Sequence, residues 1–82
     1  MSLESEMRTI IREAWEAGDR NVLSNEVYDK LIAQGMTVPP DSMDAVYNRL
    51  RNEGLIDGVA KLSREGRIQH GAFSVTWINP AL

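Results

Sequence analysis

Reactive side chains are scarce in this 82-residue chain. It contains one histidine, His70, and no cysteine, so imidazole and thiolate groups cannot assemble a zinc site. The carboxylates are spread along the sequence without a convergent pair, and there is neither a glycine-rich phosphate loop nor a nucleophile motif. We therefore expect no catalytic residue, no cofactor and no metal, and we interpret His70 as a surface residue.

The polar chemistry that remains is suited to binding, and its basic part lies in the second half of the chain. Residues 1–48 carry nine acidic and four basic side chains, whereas residues 49–82 carry three acidic and five basic ones. The net charge of −3 repels nucleic acid at long range, yet a local positive surface can hold phosphates at short range. The alternative is that these charges only solvate the surface. The five basic residues are Arg49, Arg51, Lys61, Arg64 and Arg67.

Length and composition predict one small globular domain over residues 1–82. The chain is 43% hydrophobic and 26% charged, which is the balance of an ordinary soluble protein. No apolar run is long enough to cross a bilayer, and the amino-terminal segment with Glu4 and Glu6 is not a secretory signal. We expect no membrane contact. The absence of cysteine is most simply explained by a cytoplasmic location.

Two amphipathic helices are predicted before residue 36. The first covers about residues 3–17 and ends at Gly18, with Trp15 either in the core or facing a partner. After a short edge strand at residues 22–23, the second helix begins at Ser24 as N-cap, with Leu23 packing on the next turn. It ends at Gly35, the expected left-handed residue.

A third helix is predicted over residues 42–53, after two prolines that break the chain at residues 39–40. Asp41 is its expected N-cap, and Asp44 lies at the positive end of the helix dipole. Its buried stripe consists of Met43, Val46, Tyr47 and Leu50. The other side is predicted to present Ser42, Asp44, Ala45, Asn48, Arg49, Arg51 and Asn52.

The periodicity becomes that of strands after Gly54. Residues 59–62 suit one strand and residues 63–66 a turn with Gly66 in the left-handed position. Residues 68–78 suit a second strand that alternates at Phe73, Val75 and Trp77. Ile68 is out of phase with these, and a bulge at Gly71 would return Ile68 to the inner face. Across the elements we expect one core formed by Ile10, Ile11, Val27, Leu31, Val46, Leu50, Leu55, Phe73 and Val75.

This order of helix, short strand, helix, turn, helix and hairpin resembles the winged helix-turn-helix domains of bacterial transcriptional regulators. The pattern around Arg49 and the pair Glu53-Gly54 is similar to the end of their recognition helix. The link from Gly35 to Met43 is about two residues longer than is common in such turns. The resemblance covers the whole chain and implies an α+β winged helix, in which a three-helix bundle is followed by a C-terminal antiparallel β-hairpin wing.

The resemblance also implies a function, namely binding of double-stranded DNA by a small regulator that acts as a homodimer. Helix 42–53 would enter the major groove, where Asn pairs with adenine and Arg with guanine, and hairpin 59–78 would be the wing. The alternative is a winged helix that docks proteins, which the acidic first half and the pI of 5.0 favour. The implied DNA-binding residues are Ser42, Ala45, Asn48, Arg49, Asn52, Lys61, Arg64 and Arg67.

Overall fold

Three helices and a three-stranded antiparallel sheet make up the computed structural model. It describes residues 2–39, 41–62, 64–65 and 68–82, with the backbone alone at residues 68–71. The strand order in the sheet is β1-β3-β2, and the α+β winged-helix layout is as predicted. In chain order the elements are α1 (Leu3–Glu16), β1 (Val22–Leu23), α2 (Ser24–Ala33), α3 (Ser42–Asn52), β2 (Ile56–Leu62) and β3 (Ile68–Ile78).

The helices end where the sequence predicts, each at a glycine with positive φ. At the end of α3, Gly54 has φ 75° and donates its amide hydrogen to the carbonyl of Arg51 at 3.0 Å. The next amide, that of Leu55, returns to the carbonyl of Leu50 at 2.9 Å, which completes a Schellman motif. The motif turns Leu55 back onto the core and starts the chain toward β2.

The start of α2 differs from the prediction in its N-cap residue, and the start of α3 has the predicted N-cap residue with a different capping geometry. At α2 the N-cap residue is Leu23, while Ser24 is buried and its Oγ accepts a hydrogen bond from the Phe73 amide at 3.4 Å. Ser24 therefore ties α2 to β3 and is the first residue of the helix, because β1 runs into α2 without an intervening residue. Asp41 does occupy the N-cap position of α3, but its φ of 69° is left-handed and its side chain makes no capping hydrogen bond.

One buried cluster joins the helices to the inner face of the sheet, as predicted. Eight of the nine residues expected in the core are buried, and Leu55 packs against them half-buried. Trp15 is not a member of this cluster; it is half-buried, with the Arg20 guanidinium 4.1 Å from the centre of its ring. The buried apolar residues are Met7, Ile10, Ile11, Ala14, Val22, Val27, Leu31, Met43, Val46, Tyr47, Leu50, Ile56, Phe73, Val75 and Leu82.

The sheet register explains why the predicted alternation fails at Trp77. Asp57 pairs with Trp77 and Gly58 pairs with Val75, so Thr76 is an extra residue in β3. Such a bulge moves the following side chain to the other face. Val75 is fully buried whereas Trp77 is 45% exposed, so the expectation that both face inward is wrong for Trp77.

A second irregularity lies farther along the same pair of strands. Ala60 pairs with Phe73 and Leu62 with Ile68, so β3 gains residues in the stretch that contains Gly71, where the bulge was predicted. The side chain of Ile68 lies outside the described part of the chain, so the face that it takes is not described. Ser63 and Gly66, the predicted left-handed turn residue, lie outside the described residues as well. Strand β2 begins at Ile56, three residues earlier than the predicted strand.

Candidate nucleic-acid interface

The inner face of α3 sets the orientation of the helix. Its apolar stripe is buried, and the ring of Tyr47 stacks on that of Phe73 in β3, with 4.4 Å between ring centroids. Burial raises the pKa of the Tyr47 hydroxyl above its usual 10.0, while Arg51 lowers it by a smaller amount. The hydroxyl donates to the Ser74 carbonyl at 3.5 Å. Tyr47 is thus a neutral anchor that fixes which side of α3 faces outward.

The outward ridge of α3 is small, polar and uncharged. Ala45, Asn48 and Asn52 are all exposed, and their spacing of three and four residues places them in one line along the helix. Ser42 begins the same helix and is half-buried. The two carboxamides can each donate and accept hydrogen bonds, and the methyl group of Ala45 leaves room for a close approach beside Asn48.

Arg49 lies on the flank of α3 that faces α1. Its guanidinium donates to Oε1 of Glu4 at 2.8 Å, and its side chain remains mostly exposed. Glu4 lies in the first turn of α1, which is closed by a capping box: the Ser5 amide donates to Ser2 Oγ at 3.1 Å and the Ser2 amide donates to Ser5 Oγ at 3.3 Å. The ion pair therefore draws Arg49 to one side of the outward ridge.

Arg51 lies on the opposite flank of α3, which faces the sheet. Its Nε is 3.5 Å from Oδ1 of Asp57 in β2, and both side chains are largely exposed. Exposed ion pairs of this kind contribute about 0 to 1 kcal/mol, because water screens the charges. Both arginines can therefore exchange their carboxylate partners for a phosphate or a base at small cost. The ridge is then bordered by one cation on each side.

Asp44 does not lie where the sequence predicts. We expected its carboxylate on the outer side of α3, in the path of an approaching ligand, but Asp44 is only 4% exposed. Three residues before Tyr47, it lies at the border of the buried stripe, and the first turn of the helix favours its negative charge. The exposed negative charge at the leading end of α3 is that of Asp41.

The wing carries the remaining predicted contacts. Lys61 lies in β2 and Arg64 in the turn that follows, and both are exposed. Arg67 lies outside the described residues. The structure thus brings Ala45, Asn48 and Asn52 together on one ridge and places Arg49 on its flank, with Lys61 and Arg64 on the hairpin.

Sequence reasoning missed the acidic partners of the two arginines. Glu4 is separated from Arg49 by 45 residues, and in the sequence it reads only as a first-turn acid that suits the dipole of α1. Asp57 falls in a segment that the sequence leaves between helix and strand, because strand periodicity is clear only from Val59. Only the packing of α1 and β2 on either side of α3 brings these charges together.

Other kinds of site are not found in the described part of the chain. No group of three or more acidic, histidine or cysteine side chains there could hold a metal ion. No helix among the described residues has the length and apolar character needed to cross a membrane. The described surface also has a shallow depression of about 480 Å³ on the outer face of the sheet, between Leu23 and Val59.

No protein-family model, curated protein or solved structure matches this chain. The class of molecule is therefore defined by its own architecture, which is an α+β domain with the winged-helix layout and a polar, arginine-bordered ridge on its third helix.

Proposed function

We propose that this protein binds double-stranded DNA as a small transcriptional regulator, with α3 in the major groove and the hairpin of β2 and β3 as the wing. The observation that carries the proposal is the outward ridge of Ala45, Asn48 and Asn52 with Arg49 and Arg51 on its two flanks. We further propose that it acts in the cytoplasm, as a homodimer and without catalysis.

The ridge supports base recognition through its chemistry. An asparagine carboxamide can accept from N6 and donate to N7 of adenine, and arginine can donate to O6 and N7 of guanine. Side chains one helical turn apart reach successive positions along a groove, and the small residue Ala45 one turn before Asn48 allows the helix to approach the base edges. The buried Tyr47 stack holds the helix in one orientation, so these contacts need little rearrangement of the backbone.

The charges support a modest affinity. Arg49 and Arg51 would exchange Glu4 and Asp57 for phosphates, and Lys61 and Arg64 would reach the backbone from the wing. Negative charges at Glu4, Asp41 and Asp57 surround the ridge and oppose DNA at long range. Two half-sites bound by a dimer would compensate for the few contacts that one helix and one wing can make.

A second candidate function is docking of a protein, and the sheet carries the observation that favours it. Leu23, Val59 and Trp77 are exposed on or beside the strands, and the chain is acidic overall. If this were the main function, substitutions on the α3 ridge would leave partner binding unchanged and substitutions on the sheet would abolish it.

The test is selection of bound sequences from a random DNA pool, followed by titration of the best site with three proteins. Wild type should prefer the selected site over mixed DNA, and Asn48→Ala should lose about 1 to 3 kcal/mol of that preference. Asn21→Ala is the matched control, because Asn21 is exposed but lies outside α3. Enrichment of no sequence, or equal losses in the two variants, would overturn the proposal.

A further inference from the structure

Strand β2 leaves one edge of the sheet open. It is the terminal strand in the order β1-β3-β2, and in the described part of the chain it contacts only β3 and α3. Two of its large apolar side chains are exposed, Val59 by 68% and Leu62 by 55%. Edge strands with such residues are templates for pairing with another strand, unless charges or bulges prevent it.

The charges on β2 are arranged symmetrically about Val59. Asp57, Val59 and Lys61 alternate along the strand and all are exposed, so they share the outer face of the sheet. Asp57 lies two residues before Val59 and Lys61 two residues after it. If a second copy of the strand pairs antiparallel about Val59, then Asp57 of each copy lies opposite Lys61 of the other, and the two valines face each other.

We propose that the protein forms a homodimer by antiparallel pairing of two β2 strands, centred on Val59. The interface is isologous, since the same edge serves both copies, and it joins the two sheets into one. The row that runs across the sheet from Leu23 through Ser74 to Val59 then continues into the same row of the second copy. This continuation covers the exposed Val59 side chains next to the depression beside Leu23.

The charges on β2 favour a second copy of this chain as the partner of the open edge. Charges of one sign on an edge strand would repel an identical strand, which is how edge charges usually prevent association. Here the signs at the two symmetric positions are opposite, so self-pairing forms two attractive cross-strand pairs. Asp57 already bonds Arg51 and the Gly58 amide, but its side chain is 66% exposed and accessible to a second cation.

The dimer does not rest on the proposed DNA binding, because strand β2 alone carries the argument, but it would engage Lys61, which is also one of the proposed DNA contacts. Its test is done without DNA, by sedimentation equilibrium from micromolar to millimolar protein, with circular dichroism to confirm folding of every variant. Wild type should show a reversible dimer. Lys61→Asp and Asp57→Lys should each weaken it about 10-fold or more, since both cross-strand pairs become repulsive.

A mixture of the two variants tests directly whether Asp57 of one copy pairs with Lys61 of the other. In a heterodimer of Lys61→Asp with Asp57→Lys, both cross-strand pairs are attractive again, so the mixture should dimerise more tightly than either variant does alone. Lys30→Asp and Asp29→Lys on the exposed surface of α2 make the same charge changes and should leave wild-type dimerisation unchanged. A wild-type protein that is monomeric throughout, a dimer insensitive to both β2 variants, or a mixture that fails to associate would each overturn the proposal.

Discussion

Helix α3 and the sheet each have one face that packs in the core and one face that is exposed to solvent, but the two exposed faces differ in their chemistry. The outer ridge of α3 has a methyl group and two carboxamides, with cations only on its flanks. The outer face of the sheet exposes Leu23, Val59 and Trp77, with an acid and a base placed symmetrically on β2. Directional hydrogen-bonding groups suit a ligand with a polar pattern, whereas apolar groups beside an open edge suit a protein strand.

The largest effect is expected from Gly58→Ala, which tests the register of the sheet. A Cβ atom at this position would lie 1.9 Å from the carbonyl oxygen of Ser74, a backbone atom that cannot move away without breaking the pairing. We expect a loss of more than about 3 kcal/mol in the free energy of unfolding, measured by urea denaturation. Gly54→Ala is the control, since it meets open space and only strains a left-handed residue, at a cost of about 1 to 2 kcal/mol. Equal losses would mean that the bulge at Thr76 is misplaced.

Two truncations distinguish the buried side of α3 from its exposed side. Leu50→Ala removes a fully buried side chain and should lower the free energy of unfolding by about 2 to 5 kcal/mol. Asn48→Ala removes an exposed carboxamide and should change it by less than about 0.5 kcal/mol. Thermal or urea melting measures both, and similar values for the two variants would contradict the orientation of α3.

The flanking ion pair predicts a smaller effect on DNA binding. Glu4→Gln removes the carboxylate that holds Arg49, so the guanidinium becomes available to DNA and affinity should rise by up to about 1 kcal/mol. Glu6→Gln, on the same helix, makes the same change of charge and serves as the control. Fluorescence anisotropy with mixed-sequence DNA measures both. Identical gains would show that only net charge matters and that Arg49 is not restrained by Glu4.

The wing should act on all sequences alike. Arg64 is exposed in the turn after β2, where the proposed function would have a cation meet phosphates and not base edges. Arg64→Ala should therefore weaken binding to selected and mixed DNA by the same factor and lower the salt dependence by about 0.9 in slope. A loss confined to the selected sequence would assign Arg64 to base recognition instead.

The smallest expected effect is a pH dependence of the unfolding free energy that is caused by Tyr47 in α3. Because the pKa of Tyr47 is raised in the folded state, its contribution to stability is complete below the ordinary pKa of 10.0 and is lost as pH rises through the folded value. Unfolding free energy should thus decline more steeply above pH 10 in wild type than in Tyr47→Phe. If denaturant titrations show the same decline of the unfolding free energy with pH in both proteins, a group other than Tyr47 causes the decline.

The sequence predicts the elements well because their signals are local. Apolar spacing defines α1, α2 and α3, and a glycine followed by an apolar residue marks the ends of α2 and α3 at Gly35 and Gly54. The features that it misses depend on contacts between distant segments. The bulge at Thr76 arises from pairing with Asp57 and Gly58, and it alone turns Trp77 outward.

In the candidate site, too, the features that local sequence patterns determine were predictable, and those that depend on contacts between distant segments were not. The exposed ridge of Ala45, Asn48 and Asn52 was predictable from helical periodicity. Burial of Asp44 was not, because periodicity places it only at the border of the stripe and packing decides the rest. The ion pairs of Arg49 and Arg51 need the positions of α1 and β2, which no local pattern contains.

The most direct test of the account is the salt dependence of binding to mixed genomic DNA. The basic side chains of residues 49–82 are Arg49, Arg51, Lys61, Arg64 and Arg67. They allow a slope of log affinity against log salt no steeper than about −4.5 per monomer. We predict measurable binding at low salt with a slope within that bound. An absence of binding at the lowest salt, with no change in Glu4→Gln, would contradict the DNA-binding account and leave the sheet as the functional surface.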